Sequence, residues 1–149
     1  MSANIELARR YYALLPALGD ADPNEDSALL DRMFRDYLDE EFELRLPGGY
    51  PKGEPVFRGR QGSARLFAML RDAWAEWRFE PERFIDAGDQ VVVFVRVVAK
   101  GSASEVPIEL PDAHVLTVRD GRLTSSDVYR DRSEALRAAG LAPKGDTAH

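Results

Sequence analysis

The stretch that most constrains the fold is residues 114–129, HVLTVRDGRLTSSDVY. Two alternating runs flank an Asp-Gly pair, the strongest short-range signal for a two-residue hairpin turn, because both central residues of that turn need positive φ. A turn at Asp120-Gly121 sets Arg119 opposite Arg122, and an unbroken ladder then sets His114 opposite Asp127. One face of this hairpin carries Asp112, His114, Leu116 and Val118 against Leu123, Ser125, Asp127 and Tyr129. It is apolar near the turn and polar further away, as the wall of a pocket with a few convergent polar groups would be. An imidazole directly across from a carboxylate is a candidate acid/base pair, since the partner fixes the tautomer and raises the pKa. A bulge between the turn and His114 would shift the register by one and separate the two.

The segments before the hairpin also alternate. RFEPERFIDA, QVVVFVRVVAK and EVPIELPDAHVLTVRD read as strands separated by Gly-Asp and Gly-Ser signals. Upstream the period is helical. Ile5, Ala8, Tyr11 or Tyr12, and Leu15 follow a possible Asn4 cap, and the helix ends at Gly19. A second helix, capped by Asp26 or Ser27, carries Leu29, Leu30, Met33, Phe34, Tyr37 and Leu38 as a broad apolar stripe. FELRL is a short strand, and the Pro/Gly-rich stretch from Pro47 to Gly59 is a loop able to cover a pocket. A third helix is expected from Gly62 to Trp77, with Leu66, Phe67, Leu70, Trp74 and Trp77 on its apolar side. Asp131 as N-cap, Glu134 three residues on and Gly140 at C′ delimit a last helix, after which residues 142–149 form a frayed tail. Helices followed by consecutive antiparallel strands predict an α+β domain with the helices covering one face of a curved sheet.

The length of 149 residues suits a single domain over 1–149, large enough to bury about 70% of its unfolded surface. A net charge of −6 with interspersed signs argues against a nucleic-acid surface. No run approaches a membrane span and no secretory signal is visible, so a cytoplasmic protein is expected. Without cysteine, any chemistry must use oxygen and nitrogen groups. One internal histidine and scattered carboxylates give no metal-ligand spacing, and no glycine-rich phosphate loop follows a strand; neither a metal nor another cofactor is expected.

The stretches FRGRQGSARLFAMLRDAW, IDAGDQVVV, AHVLTVRDGRL and VYRDRSEALRAAGL resemble the SnoaL-like branch of the nuclear transport factor 2-like superfamily, over about residues 5–141. The resemblance implies a cone: a strongly bent antiparallel sheet wrapped around three helices, an apolar pocket open at one end, and a homodimer through the sheet. The superfamily includes ketosteroid isomerases, polyketide cyclases, epoxide hydrolases and proteins that only bind or assemble. SnoaL-type cyclases carry a catalytic aspartate in the last strand and a histidine in the preceding one, and the resemblance puts Asp127 and His114 at those positions. The base of the ketosteroid isomerases is replaced here by Leu46 in RLPGG. The Arg-x-Asp pair of limonene-type epoxide hydrolases is broken, because Val98 follows Arg96.

The sequence therefore predicts a pocket protein for a small apolar ligand, acting as a cofactor-independent isomerase or cyclase on a carbonyl compound. Asp127 would be the acid/base and His114 its partner. Asp112, Tyr129, Leu116, Tyr12, Trp74 and Phe67 would line the pocket. The alternative is a non-catalytic binding or assembly protein of the same fold.

Overall fold

A computed structural model describes residues 3–20, 23–46, 56–101 and 106–141. Four helices and six strands follow in the order α1 (Ala3–Asp20), α2 (Pro23–Asp36), β1 (Leu38–Arg45), β2 (Val56–Arg58), α3 (Gly59–Ala73), β3 (Glu76–Ala87), β4 (Gln90–Lys100), β5 (Ile108–Arg119), β6 (Arg122–Tyr129) and α4 (Arg132–Ala138). The strands make one curved, unclosed sheet in the order β2-β1-β6-β5-β4-β3. Every neighbouring pair is antiparallel except β1 and β6, which run parallel. No described helix is long and apolar enough to cross a membrane.

The inner face of the sheet closes on the first three helices. Tyr12 and Leu15 of α1, Met33 of α2 and Phe67 of α3 pack with Phe42, Val93 and Leu116 from the strands, all nearly without exposure. The outer face has its own small core, in which Ala135 of α4 packs on Val92, Ala113 and Val115. This explains why β4 reads as an almost continuous apolar run: both of its faces are covered around Val91–Val93. Asp131 caps α4 as expected, accepting from the backbone N–H groups of Ser133 and Glu134.

Local expectations fail where packing overrides periodicity. The third helix begins at Gly59 and stops at Ala73 rather than running from Gly62 to Trp77, because Trp74 takes extended backbone angles (φ −130°, ψ 139°). Trp77 belongs to β3 and is buried from the sheet side. Asn4 lies inside α1 and, instead of capping it, donates its side-chain amide to Gly88 O in the β3–β4 turn at 3.0 Å. The expected loop also contains a strand: β2 pairs Phe57 with Leu44 of β1 and buries Phe57 completely. Residues 47–55 of that loop lie outside the described residues, as do residues 142–149.

The hairpin decides the site. Asp120 (φ 52°) and Gly121 (φ 75°) form the expected turn, and Arg119 pairs with Arg122. Val118 pairs with Leu123, but Thr117 pairs with Ser125, so Thr124 is one extra residue on β6. From there on the register has moved by one: His114 faces Val128, and Val115 faces Asp127. The bulge keeps Leu123 in the core near the turn and turns Ser126 and Val128 inward beyond it. Its physical effect is to turn the apolar Val128 toward the inner cavity in place of the Asp127 carboxylate, whose desolvation would be costly.

Candidate functional site

Successive side chains of β5 alternate across the sheet, so Asp112 and His114, two apart, both enter the cone. His114 is 6% exposed and Asp112 5% exposed. Both line an inner cavity of about 40 Å³ together with Ser126 and Val128 of β6. The remaining wall is apolar, built from Tyr11, Leu15, Leu66, Phe67 and Phe79 among others. This volume holds a few waters as it stands, and a larger ligand requires side chains to move apart.

The imidazole is held by Tyr12. The phenol oxygen lies 2.5 Å from His114 Nδ1, and the two rings stack with centroids 5.8 Å apart. Phe79 meets the other side of the imidazole edge-on at 5.8 Å. Burial, with the neighbouring Tyr11, pushes the Tyr12 phenol well above its ordinary pKa, so it keeps its proton. Because Tyr12 is buried and has no other side-chain partner among the described residues, that proton goes to Nδ1. Burial also lowers the His114 pKa from 6.5 to about 4. The ring is therefore neutral at physiological pH, with its own proton on Nε2.

Asp112 has the opposite problem. Its Oδ1 is buried without a hydrogen-bond partner among the described residues, and Oδ2 lies 3.8 Å from Arg130 Nε. Arg130 stands there because the shifted ladder, continued one step past Tyr129, sets it across from Asp112. Burial raises the Asp112 pKa, while Arg130 and Arg132 pull it partly back. A desolvated carboxylate with one unpartnered oxygen is a stronger base than one in water.

The bulge overturns the expected His114–Asp127 pair. Asp127 lies on the outer side of the sheet, where Arg45 Nη1 donates to both of its carboxylate oxygens at 3.1 and 3.0 Å. Arg45 also bridges Glu43, whose pKa drops because Arg58 and Arg45 hydrogen-bond to it. Tyr129 follows Asp127 outward and packs on the α4 cluster. Arg45, Asp127 and Tyr129, with Arg130 and Glu134, line a second, wider hollow of about 370 Å³. Leu46 and Val128 belong to the walls of both hollows.

Of the other residues expected at the pocket, Phe67 lines the inner cavity and Tyr12 reaches it through His114. Leu116 is wholly buried in the solid core instead, and Trp74 lines a separate cavity. The sequence reading missed Ser126, Val128 and Phe79. The first two are the neighbours of residues it chose, displaced by the one-residue bulge, and Phe79 carries no local signal beyond strand alternation. Among the described residues no group of three His, Asp or Glu side chains is placed to hold a metal ion.

Solved structures of the same architecture cover nearly the whole chain. An NTF2-like protein of unknown function from Burkholderia pseudomallei is 21% identical with a TM-score of 0.68, covering 92% of this chain and 97% of its own. TerC, crystallised with polyporic acid, is 24% identical with a TM-score of 0.68, covering 93% and 99%. A protein of ketosteroid isomerase-like fold from Catenulispora acidiphila, in complex with trimethylamine, is 20% identical with a TM-score of 0.63, covering 91% and 93%. At such identities the likeness is one of fold. No curated protein matches the chain significantly. The SnoaL-like domain family matches residues 8–126, most of the chain and all of the cone up to the middle of β6. By that match, and by a bent sheet enclosing a polar-tipped cavity, the chain belongs to the SnoaL-like domain family.

Proposed function

We propose that this protein is a cofactor-independent acid/base enzyme of the isomerase or cyclase type, acting on a small, largely apolar carbonyl compound. The observation that carries this reading is the placement of the Asp112 carboxyl and the neutral His114 imidazole on one buried face of β5, in one cavity. Asp112, rather than the outward-facing Asp127, is the proton carrier. In the proposed step its carboxylate takes a proton from carbon next to the substrate carbonyl; the C–H electron pair moves into the carbonyl and forms an enolate. His114 Nε2–H donates to the enolate oxygen, where a neutral imidazole in a dry site stabilises developing charge. Asp112 then returns the proton to carbon. Tyr12 holds the imidazole in the donating tautomer.

The inner cavity of apolar side chains supports a small apolar substrate, and two solved relatives hold the small molecules polyporic acid and trimethylamine. Pairing of two copies through the sheet belongs to the same reading and rests on membership of the SnoaL-like family. Sedimentation of the purified chain tests that pairing.

A non-catalytic binder of the same ligands is the second reading, favoured by the small volume of the cavity and its largely apolar wall. Deuterium uptake from D₂O next to the carbonyl of cyclohexenone, followed by proton NMR, separates the two. The wild type should accelerate uptake, and Asp112→Asn should lose about 100-fold or more of that rate while keeping its fold. Binding of cyclohexenone without uptake would establish the binder.

A further inference from the structure

A second apolar cavity, of about 50 Å³, adjoins the first at Phe79. Its wall includes Leu70 and Trp74 at the end of α3, Trp77 and Phe79 of β3, and Ile108 and Leu110 of β5. Phe79 is common to this cavity and to the one holding Asp112 and His114, so its ring is the partition between them. One of its wall residues carries an unpaired polar group. Trp77 is only 7% exposed, and its indole N–H is buried with no acceptor among the described residues. Buried N–H groups are almost always paired, and one left unpaired disfavours the folded chain, so it calls for an acceptor that none of the described residues provides. The ring is fixed for such a role. Phe67 stacks on it at 5.7 Å with an interplanar angle of 15°, and Phe79 leans on it at 5.2 Å.

We propose that this second cavity is a further subsite, which joins the first when the Phe79 ring turns aside and receives the far end of an elongated apolar molecule whose hydrogen-bond acceptor meets the Trp77 N–H. This rests on the reading above that the inner cavity takes a carbonyl compound. It narrows the substrate class to molecules about two rings long with an oxygen acceptor at each end. One end meets His114 Nε2–H and the other Trp77. Half-exposed Ile108 borders this second cavity, giving the far end an edge at which longer molecules can emerge.

The chain has two tryptophans, and both line this cavity, so intrinsic fluorescence reports on it directly. The test compares two probes of equal length: a dione of two linked cyclohexane rings with a carbonyl at each end, and the monoketone lacking the far carbonyl. Wild type should bind the dione about 10-fold more tightly, the value of one neutral hydrogen bond that rescues a buried donor. Trp77→Phe, which keeps an aromatic ring and leaves Trp74 as reporter, should reduce the dione to the level of the monoketone. Equal binding of the two probes by wild type, or equal weakening of both by Trp77→Phe, overturns the proposal. Loss of the catalytic reading alone would appear as no uptake with cyclohexenone while the dione preference persists.

Discussion

The Tyr12 hydroxyl and the His114 Nδ1 atom, 102 residues apart in the chain, meet at 2.5 Å inside the cone. This contact joins α1 to β5 and fixes the one internal imidazole as a neutral donor facing a cavity. Replacing Tyr12 by Phe leaves Nδ1 buried without a partner. The expected cost is about 1–3 kcal/mol of stability. Removing a donor that favours the neutral ring also lets the His114 pKa rise from about 4. Thermal denaturation and an NMR titration of the His114 ring protons measure the two effects, and an unchanged titration would show that the phenol does not hold the tautomer.

His114 also makes stability depend on pH. Its folded pKa of about 4 lies below the ordinary 6.5. Between these values the unfolded chain binds a proton that the folded chain does not, so stability falls as pH drops through this window and levels off below it. The full effect is about 3 kcal/mol. Urea unfolding across the window should show this slope in the wild type and lose most of it in His114→Gln.

Asp112 acts in the opposite sense. A carboxyl whose folded pKa is raised loses stability as pH rises through the carboxylate range, because the unfolded chain gives up its proton first. Asp112→Asn is therefore expected to be at least as stable as wild type at neutral pH, while losing proton transfer. A melting temperature well below that of the wild type would mean that the carboxylate is structural.

Asp127→Asn is the counterpart that tests the bulge. Its ion pair with Arg45 is partly open, with side-chain exposures of 25% and 45%, and such pairs contribute about 0–1 kcal/mol. Stability should change by no more than that, and deuterium uptake should be unaffected. If Asp127→Asn abolishes uptake and Asp112→Asn does not, the register of β6 in the working protein is the unbroken one.

Gly62 is the position where a single methyl group is least tolerable. A Cβ there would come within 2.8 Å of the Phe57 carbonyl carbon, a backbone atom that cannot swing away. Gly62→Ala should cost about 1–3 kcal/mol by forcing α3 off β2. Loss of less than that in chemical denaturation would show that the helix can slide.

How much of this was legible in the sequence depended on the range of the forces involved. The Asp120-Gly121 turn, the Asp131 cap, the alternation of β3 to β6 and the helical spacing of α1 to α3 are set by backbone sterics and by neighbours within a few residues, and the sequence by itself determined them. The resemblance of the DGRL and YRDRSEAL stretches to the SnoaL-like family carried the cone with them. The end of α3, the strand at Val56–Arg58 and the role of Asn4 were decided by partners far along the chain, which local spacing does not encode. Most of all, only the tertiary structure decided which carboxylate enters the cavity. One extra residue at Thr124 has no compositional mark; it is favoured because the folded sheet buries Leu123, turns Val128 to the inner cavity and leaves Asp127 outside beside Arg45, and that balance of desolvation against packing exists only once β1, β5 and β6 lie side by side.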